Sequence, residues 1–189
     1  MAEQIILERD GPIARLVLNR PDRLNAFNLA MWSRLGDLVE EVNEDQKRVL
    51  AEKVMERFGS DLTGRTFAIW GLAFKPRTDD MREAPSVVII NRLLEMGAKV
   101  RAHDPEAIGE AKKIFGDRIE YSNNQYEILK DADALAIITE WSEYRNPDFE
   151  KIKSLLKQPL IFDGRNLYEP LRMVMAGFEY FPIGRNGRH

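Results

Sequence analysis

Behind Gly64 short apolar runs alternate with helically spaced stretches, strand then helix, five times over with brief connections. This pattern narrows the fold more than any other feature of the chain. Thr66–Trp70 (TFAIW) is continuously apolar and too short for a helix, as expected of a strand buried on both faces. The spacing predicts a helix over 83–96, with Pro85 in its first turn and Gly97 closing it. Further strands are expected at 99–102, 119–121, 134–138, 160–162 and 179–181, with helices at 105–115, 125–130, 148–156 and 168–175. Parallel strands need crossover connections, so the expectation is an α/β domain: a parallel sheet flanked by helices. Such open sheets take ligands at the carboxyl ends of their strands. The loops after Trp70, Ala102, Ile138 and Phe162 therefore carry the functional question.

The first sixty residues are built differently. Apolar runs at 4–7 and 13–18 flank Arg9-Asp10-Gly11-Pro12, which predicts a β-hairpin. Asn28 is placed to cap a helix running from about residue 29 to Phe58, with Gly59 just beyond its end. Trp32, Leu35, Val39, Val42, Val49 or Leu50, Val54 and Phe58 recur at helical spacing along it. At about 1.5 Å per residue that helix is about 45 Å long and needs a partner surface.

Composition removes several function classes. A formal net charge of -3 gives no electrostatic reason for nucleic-acid binding. Runs such as Ala134–Ile138 are too short to cross a bilayer, and Met1–Asp10 has no secretory pattern, so a cytoplasmic location is expected. The chain has no cysteine, hence no disulfide, thiolate metal site or thiol nucleophile. Only His103 and His189 offer imidazole, and residues 186–189 are expected to be an unordered tail. No metal site is expected.

Two strand-end loops carry the charge that could read a ligand. After Trp70 comes GLAFKPRTDDMREAPS, where a glycine turns the chain off the strand, Lys75 projects, and Arg82 precedes a helix start. A phosphate or carboxylate suits this loop; equally, Asp79, Asp80 and Glu83 could neutralise Lys75, Arg77 and Arg82. The loop lacks G-x-G-x-x-G. After Phe162 comes DGRNLYEP, where Arg165 could clamp a phosphate or sugar hydroxyls, or pair with Asp163 or Glu169. Glu140 and Trp141 could line the same crevice. His103-Asp104-Pro105 reads as a strand-to-helix turn with Asp104 as a cap, and His103 is not read as a base.

Together, FAIWGLAFKPRTDDMREAPS, GAKVRAHDPEA, DADALAIITEW, FDGRN and YFPIGR resemble the UDP-glucose 6-dehydrogenases of bacterial type, over about residues 43–185. The resemblance implies a Rossmann-like UDP-sugar-binding domain over 64–185, entered through a connecting helix at 42–63. It further implies that Lys75 contacts the nucleotide sugar, that Arg165 holds it from the opposite loop, and that Phe74 shapes the pocket. Arg82 would reach toward NAD held by another domain. That family oxidises the sugar alcohol to a carboxylate through a cysteine thiohemiacetal, and no cysteine is present here. The expectation is weak binding of UDP-glucose or UDP, no NAD bound by this chain alone, no catalysis alone, and a homodimer through the long helix.

The front end has another pedigree. IILERDGPIARLVLNRPDRLNAFNLAMWSRLGDLVEE resembles the start of the enoyl-CoA hydratase (crotonase) family, so residues 1–41 are expected to be a fragment of that family. The oxyanion loop and catalytic glutamates of that family are not recognisable. The seam falls near Glu40–Asn43 and implies a chimera, engineered or recombined. On that footing the chain could also be purely structural, or a subunit active only with a complementary fragment.

Overall fold

The computed structural model describes residues 3–10 and 13–184. The Gly11-Pro12 turn, Arg185 of the YFPIGR string, and the 186–189 tail with His189 lie outside the described residues. The chain divides into two compact units, Met1–Lys47 and Arg48–His189.

In the first unit β1 (Ile5–Asp10) and β2 (Ile13–Leu18) pair antiparallel, Ile5 opposite Leu18 and Asp10 opposite Ile13. Asn28 caps α1 (Leu29–Phe58) as expected, its Oδ1 accepting the Met31 N–H at 2.8 Å. The apolar face differs from the predicted stripe. Met31 and Leu38 are buried with Ile5, and Leu7, Leu16, Phe27 and Leu35 pack on them. Trp32 is 61% exposed and Val39 43%. The reason is the hairpin, which sits over the Met31–Leu35–Leu38 line. Trp32 turns aside and leans on the Phe27 ring, with centroids 4.7 Å apart.

The second unit is one six-stranded parallel sheet in the order β5-β4-β3-β6-β7-β8. Its strands are β3 (Thr66–Trp70), β4 (Lys99–His103), β5 (Glu120–Tyr121), β6 (Ala134–Ile137), β7 (Leu160–Asp163) and β8 (Glu179–Pro182). The flanking helices are α2 (Pro85–Glu95), α3 (Ile108–Phe115), α4 (Phe149–Leu155) and α5 (Pro170–Met175). β3, β6 and β7 are buried along their whole lengths, as their mainly apolar runs require. Leu50 and Val54 from the end of α1 join this core, and Phe58 packs edge-on against Phe67 with centroids 5.6 Å apart.

Several helices are shorter than their periodicity suggests, for local reasons. Glu83 has φ 56, outside helical space, so α2 starts at Pro85 rather than at 83. Pro105–Ala107 form a turn on Asp104, and α3 begins only at Ile108. The stretch 125–130 reduces to a single 3-10 turn at Glu127–Leu129. The strand order matters most for function. β4 and β6 lie on opposite sides of β3, so the chain's direction of winding reverses between β3 and β6. A crevice opens at such a switch point, outside the carboxyl ends of those two strands.

Candidate functional site

The loop leaving β3 is fixed before it reaches its charged residues. Gly71 has φ 95, and a Cβ there would lie 2.5 Å from Thr139 Cβ and 2.6 Å from Thr139 N. Only glycine allows the loops after β3 and β6 to approach so closely. Leu72 and Ala73 are buried, and both N–H groups donate to Asp104 Oδ2, at 2.7 and 3.1 Å. The Leu72 carbonyl accepts from the Ser86 hydroxyl, and the Ala73 carbonyl accepts from Thr139 Oγ1 at 2.6 Å. The Phe74 N–H then donates to the Asp80 carbonyl at 2.9 Å and closes the loop on itself. From this braced base Phe74 emerges 45% exposed. Lys75, next to it, is exposed and makes no ion pair or hydrogen bond with any described residue.

Arg165 comes from the opposite loop and reaches across the switch point. The Gly164 N–H donates to the Ile137 carbonyl at 2.8 Å, and a Cβ on Gly164 would sit 2.9 Å from that oxygen. Asp163, fully buried, receives the Arg165 backbone N–H at 2.8 Å, the Leu167 N–H at 2.7 Å and the Tyr180 hydroxyl at 2.6 Å. Burial, with the Asp163 charge behind it, pushes the Tyr180 and Tyr168 phenols well above their ordinary range, so both remain donors. The guanidinium donates from Nε to the Ile138 carbonyl at 2.7 Å and from Nη2 to the Phe74 carbonyl at 3.2 Å. Its ion-pair partner is Glu140, whose Oε2 lies 3.0 Å from Nε. The alternative of a pairing with Asp163 or Glu169 is replaced by Glu140, since Asp163 takes only the Arg165 backbone. The Nε–H points at Ile138, so the sealed Glu140 Oε2 has the charge of Arg165 beside it but no hydrogen bond.

Part of the anticipated neutralisation of the charged loop is the pair of Arg82 with Asp80. Arg82 binds Asp80 through two side-chain contacts, at 3.0 and 2.7 Å, and gives it a backbone N–H at 3.0 Å. These bonds hold the partly exposed Asp80 carboxyl at about 2, below its ordinary range. The Arg82 side chain is 89% exposed and faces solvent rather than the crevice base. The structure thus joins Phe74 and Arg165 directly, keeps Lys75 beside Phe74, and puts Arg82 at the loop's far end. Among the described residues no group of three or more acidic or imidazole side chains gathers as a metal site.

Of the two residues proposed to line the crevice, Glu140 stands beside Arg165 and Trp141 turns inward. Trp141 is buried, and its Nε1–H donates to Asp104 Oδ2 at 3.0 Å. His103 is buried too, with Nδ1 2.7 Å from the Tyr144 hydroxyl. Asp104 is the important residue that sequence reasoning undervalued. It caps the turn before α3, as expected, and it also anchors the loop after β3. The signal available in the sequence was its place at the end of the strand next to the switch point.

The profile of the UDP-glucose/GDP-mannose dehydrogenase family, UDP binding domain, matches residues 68–170, spanning both braced loops. The chain belongs to this family. It is 47% identical over 158 residues to a UDP-glucose 6-dehydrogenase of Pseudomonas aeruginosa, covering 81% of this chain and 35% of that protein. Against a UDP-glucose 6-dehydrogenase of Bacillus subtilis the identity is 45% over 152 residues, covering 80% and 33%. The fold matches an NDP-N-acetyl-D-galactosaminuronic acid dehydrogenase from Methanosarcina mazei with a TM-score of 0.66 at 30% identity, over 87% of this chain and 33% of that one. The chain spans about a third of the length of the curated relatives it matches. In this UDP-binding domain the strand-end residues Phe74, Lys75 and Arg165 lie within or at the edges of the braced loops just described.

Proposed function

We propose that this chain is a nucleotide-sugar-binding module that takes UDP-glucose or UDP in the crevice where β3, β6 and β7 end. The observation that carries the reading is the Arg165 bridge, which locks a guanidinium against the carbonyls of Ile138 and Phe74 beside the exposed Lys75. Two cations held or exposed at a switch point suit a diphosphate, and Phe74 offers an apolar wall for the sugar or base. Lys75 supplies charge and Arg165 supplies orientation. We assign Arg82 to face NAD held by another domain of a complete enzyme. The sheet itself does not fit a dinucleotide, because its first loop lacks the glycine fingerprint and Asp104 takes the N–H groups of Leu72 and Ala73. With no cysteine, the module binds without forming the family's thiol intermediate. Thermal unfolding in a UDP series tests this: a saturable rise in midpoint, lost in Lys75→Ala, supports binding, and a flat response at millimolar UDP refutes it.

A homodimer reading has its own support. A groove of about 510 Å³ lies between the end of α1 and α2, with apolar atoms of Ala51, Met55 and Val88 inside it. Arg48 and Glu52 stand on one side, Arg92 and Glu95 on the other, a charge arrangement that a two-fold copy can match with itself. Light scattering decides, since the mass of a single 21.8 kDa chain at high concentration refutes the dimer.

For residues 1–41 we propose an enoyl-CoA hydratase-like origin without hydratase chemistry. Supporting it are the hairpin, the 3-10 turn at Pro21–Arg23, and the left-handed Leu24 and Asn25 that end it at φ 51 and 57. Unchanged UDP response after removal of residues 1–27 is expected, and a lost response refutes a grafted front. No helix among the described residues is long and apolar enough to cross a membrane.

A further inference from the structure

Asp104 is 2% exposed, and its carboxylate gathers donors from three separate segments. Oδ2 accepts the N–H groups of Leu72 and Ala73, from the loop after β3, and the indole N–H of Trp141, from the loop after β6. Oδ1 accepts the N–H groups of Glu106 and Ala107, in the turn that opens α3. In an open parallel sheet, N–H groups at a strand's end and at a helix start are those that meet the phosphate of a bound ligand. Here a side chain of the protein already holds them. The same bonds fix the level of the loop that continues into Phe74 and Lys75. One residue on, the Ala73 carbonyl is held by Thr139, and the Phe74 carbonyl is held by Arg165.

We propose that Asp104 is an internal anion: it fills the sheet's own phosphate cradle and acts as the positioning residue for Lys75 and Arg165. The diphosphate of the ligand is thereby read by side-chain cations instead of backbone N–H groups. The second half of this inference rests on the nucleotide-sugar reading above; the first half does not. A carboxylate suits the place because, when ionised, it accepts at both oxygens and donates at neither. An asparagine has the same shape but turns an NH₂ group toward N–H donors, which leaves part of the cradle without an acceptor. No backbone donor in the cradle remains for an outside anion while Asp104 is in place.

The cradle is tested with formate as the probe. In Asp104→Ala the side-chain carboxylate is gone, and formate can enter in its stead. Formate is expected to raise the thermal midpoint of Asp104→Ala saturably against chloride at equal ionic strength, with no such rise in the wild type. Equal responses in the two proteins would overturn the cradle. Positioning is tested with the second variant, Asp104→Asn, by titrating UDP-glucose into it with and without Lys75→Ala. In the wild-type background Lys75→Ala is expected to weaken binding about tenfold or more, the scale of a charge-assisted contact. In the Asp104→Asn background the same change is expected to cost about threefold or less, because the lysine is no longer set in place. Independent, multiplying losses would mean that Asp104 has only a structural role. A wild type that binds no UDP-glucose overturns the nucleotide-sugar reading and the positioning role with it, while the formate comparison still decides the cradle.

Discussion

The Arg165 guanidinium donates from Nη2 to the Phe74 carbonyl at 3.2 Å, joining two loops that lie 91 residues apart in the chain. Its Nε holds the Ile138 carbonyl at the same time, so one side chain ties the ends of three strands. Lysine has a single ammonium and no planar fork, so it cannot reproduce both bonds. Arg165→Lys is expected to lower stability by about 1–3 kcal/mol, the cost of an orphaned partner, and to weaken UDP-glucose binding about tenfold or more. Urea unfolding and a binding titration on the same variant check both parts.

Gly71 is the other point at which the crevice depends on one residue. Any side chain there meets Thr139 at 2.5 Å and must adopt φ 95. Gly71→Ala is expected to destabilise the fold by about 2–4 kcal/mol, from steric overlap together with backbone strain. Chemical denaturation measures it, and a loss under about 0.5 kcal/mol would show that the two loops do not need this approach.

The Asp80–Arg82 pair makes an acid-side prediction. Asp80 is held at about 2 by hydrogen bonds from Arg82, below its ordinary value of 3.8. A depressed carboxyl stabilises the fold above its unfolded value and ceases to do so as pH falls between about 4 and 2. Arg82→Ala is expected to return the Asp80 titration, followed by carboxyl carbon NMR, to the ordinary aspartate range. A midpoint that stays near 2 would contradict the assignment of cause.

His103 gives the second pH effect. Burial lowers its basicity, although Asp104 and a backbone contact at Asn123 act the other way. Glu143, 3.8 Å from Nε2, has its own carboxyl pushed up by burial and then by Asp104. The neutral ring is therefore the form that fits, and its contribution is complete above the ordinary imidazole value of 6.5. That contribution fades as pH falls below this value and the ring is forced to charge. Replacing His103 with glutamine is expected to flatten the fall in stability on that acid side, measured by unfolding across pH 7 to 5.

The sheet was legible from the sequence because its central strands are buried along their lengths and read as short, mainly apolar runs, as Phe67–Trp70, Ala134–Ile137 and Leu160–Phe162 show. Lys75 and Arg165 could be picked out because strand-end loops are few, and Phe74 only through the family resemblance. Their bracing could not, since a bond such as Arg165 to Phe74 joins residues that no local pattern relates. Asp104 looked like an ordinary cap for the same reason: two of its donors are local, but Leu72, Ala73 and Trp141 are distant. On α1 the periodicity was correct, and Leu35, Leu50, Val54 and Phe58 pack as expected, but in the first turns Met31 and Leu38 are buried in place of Trp32 and Val39. Which side of a helix is buried depends on where its hairpin lands, and the Met31–Leu35–Leu38 line won over Trp32 and Val39.

Isothermal titration of UDP-glucose into the purified protein, with Arg165→Ala as its pair, tests the central claim most directly. The account predicts saturable heat from the wild type that vanishes in the variant while the variant stays folded. Absence of heat from a folded wild type at millimolar ligand, or equal heat from both proteins, would contradict it.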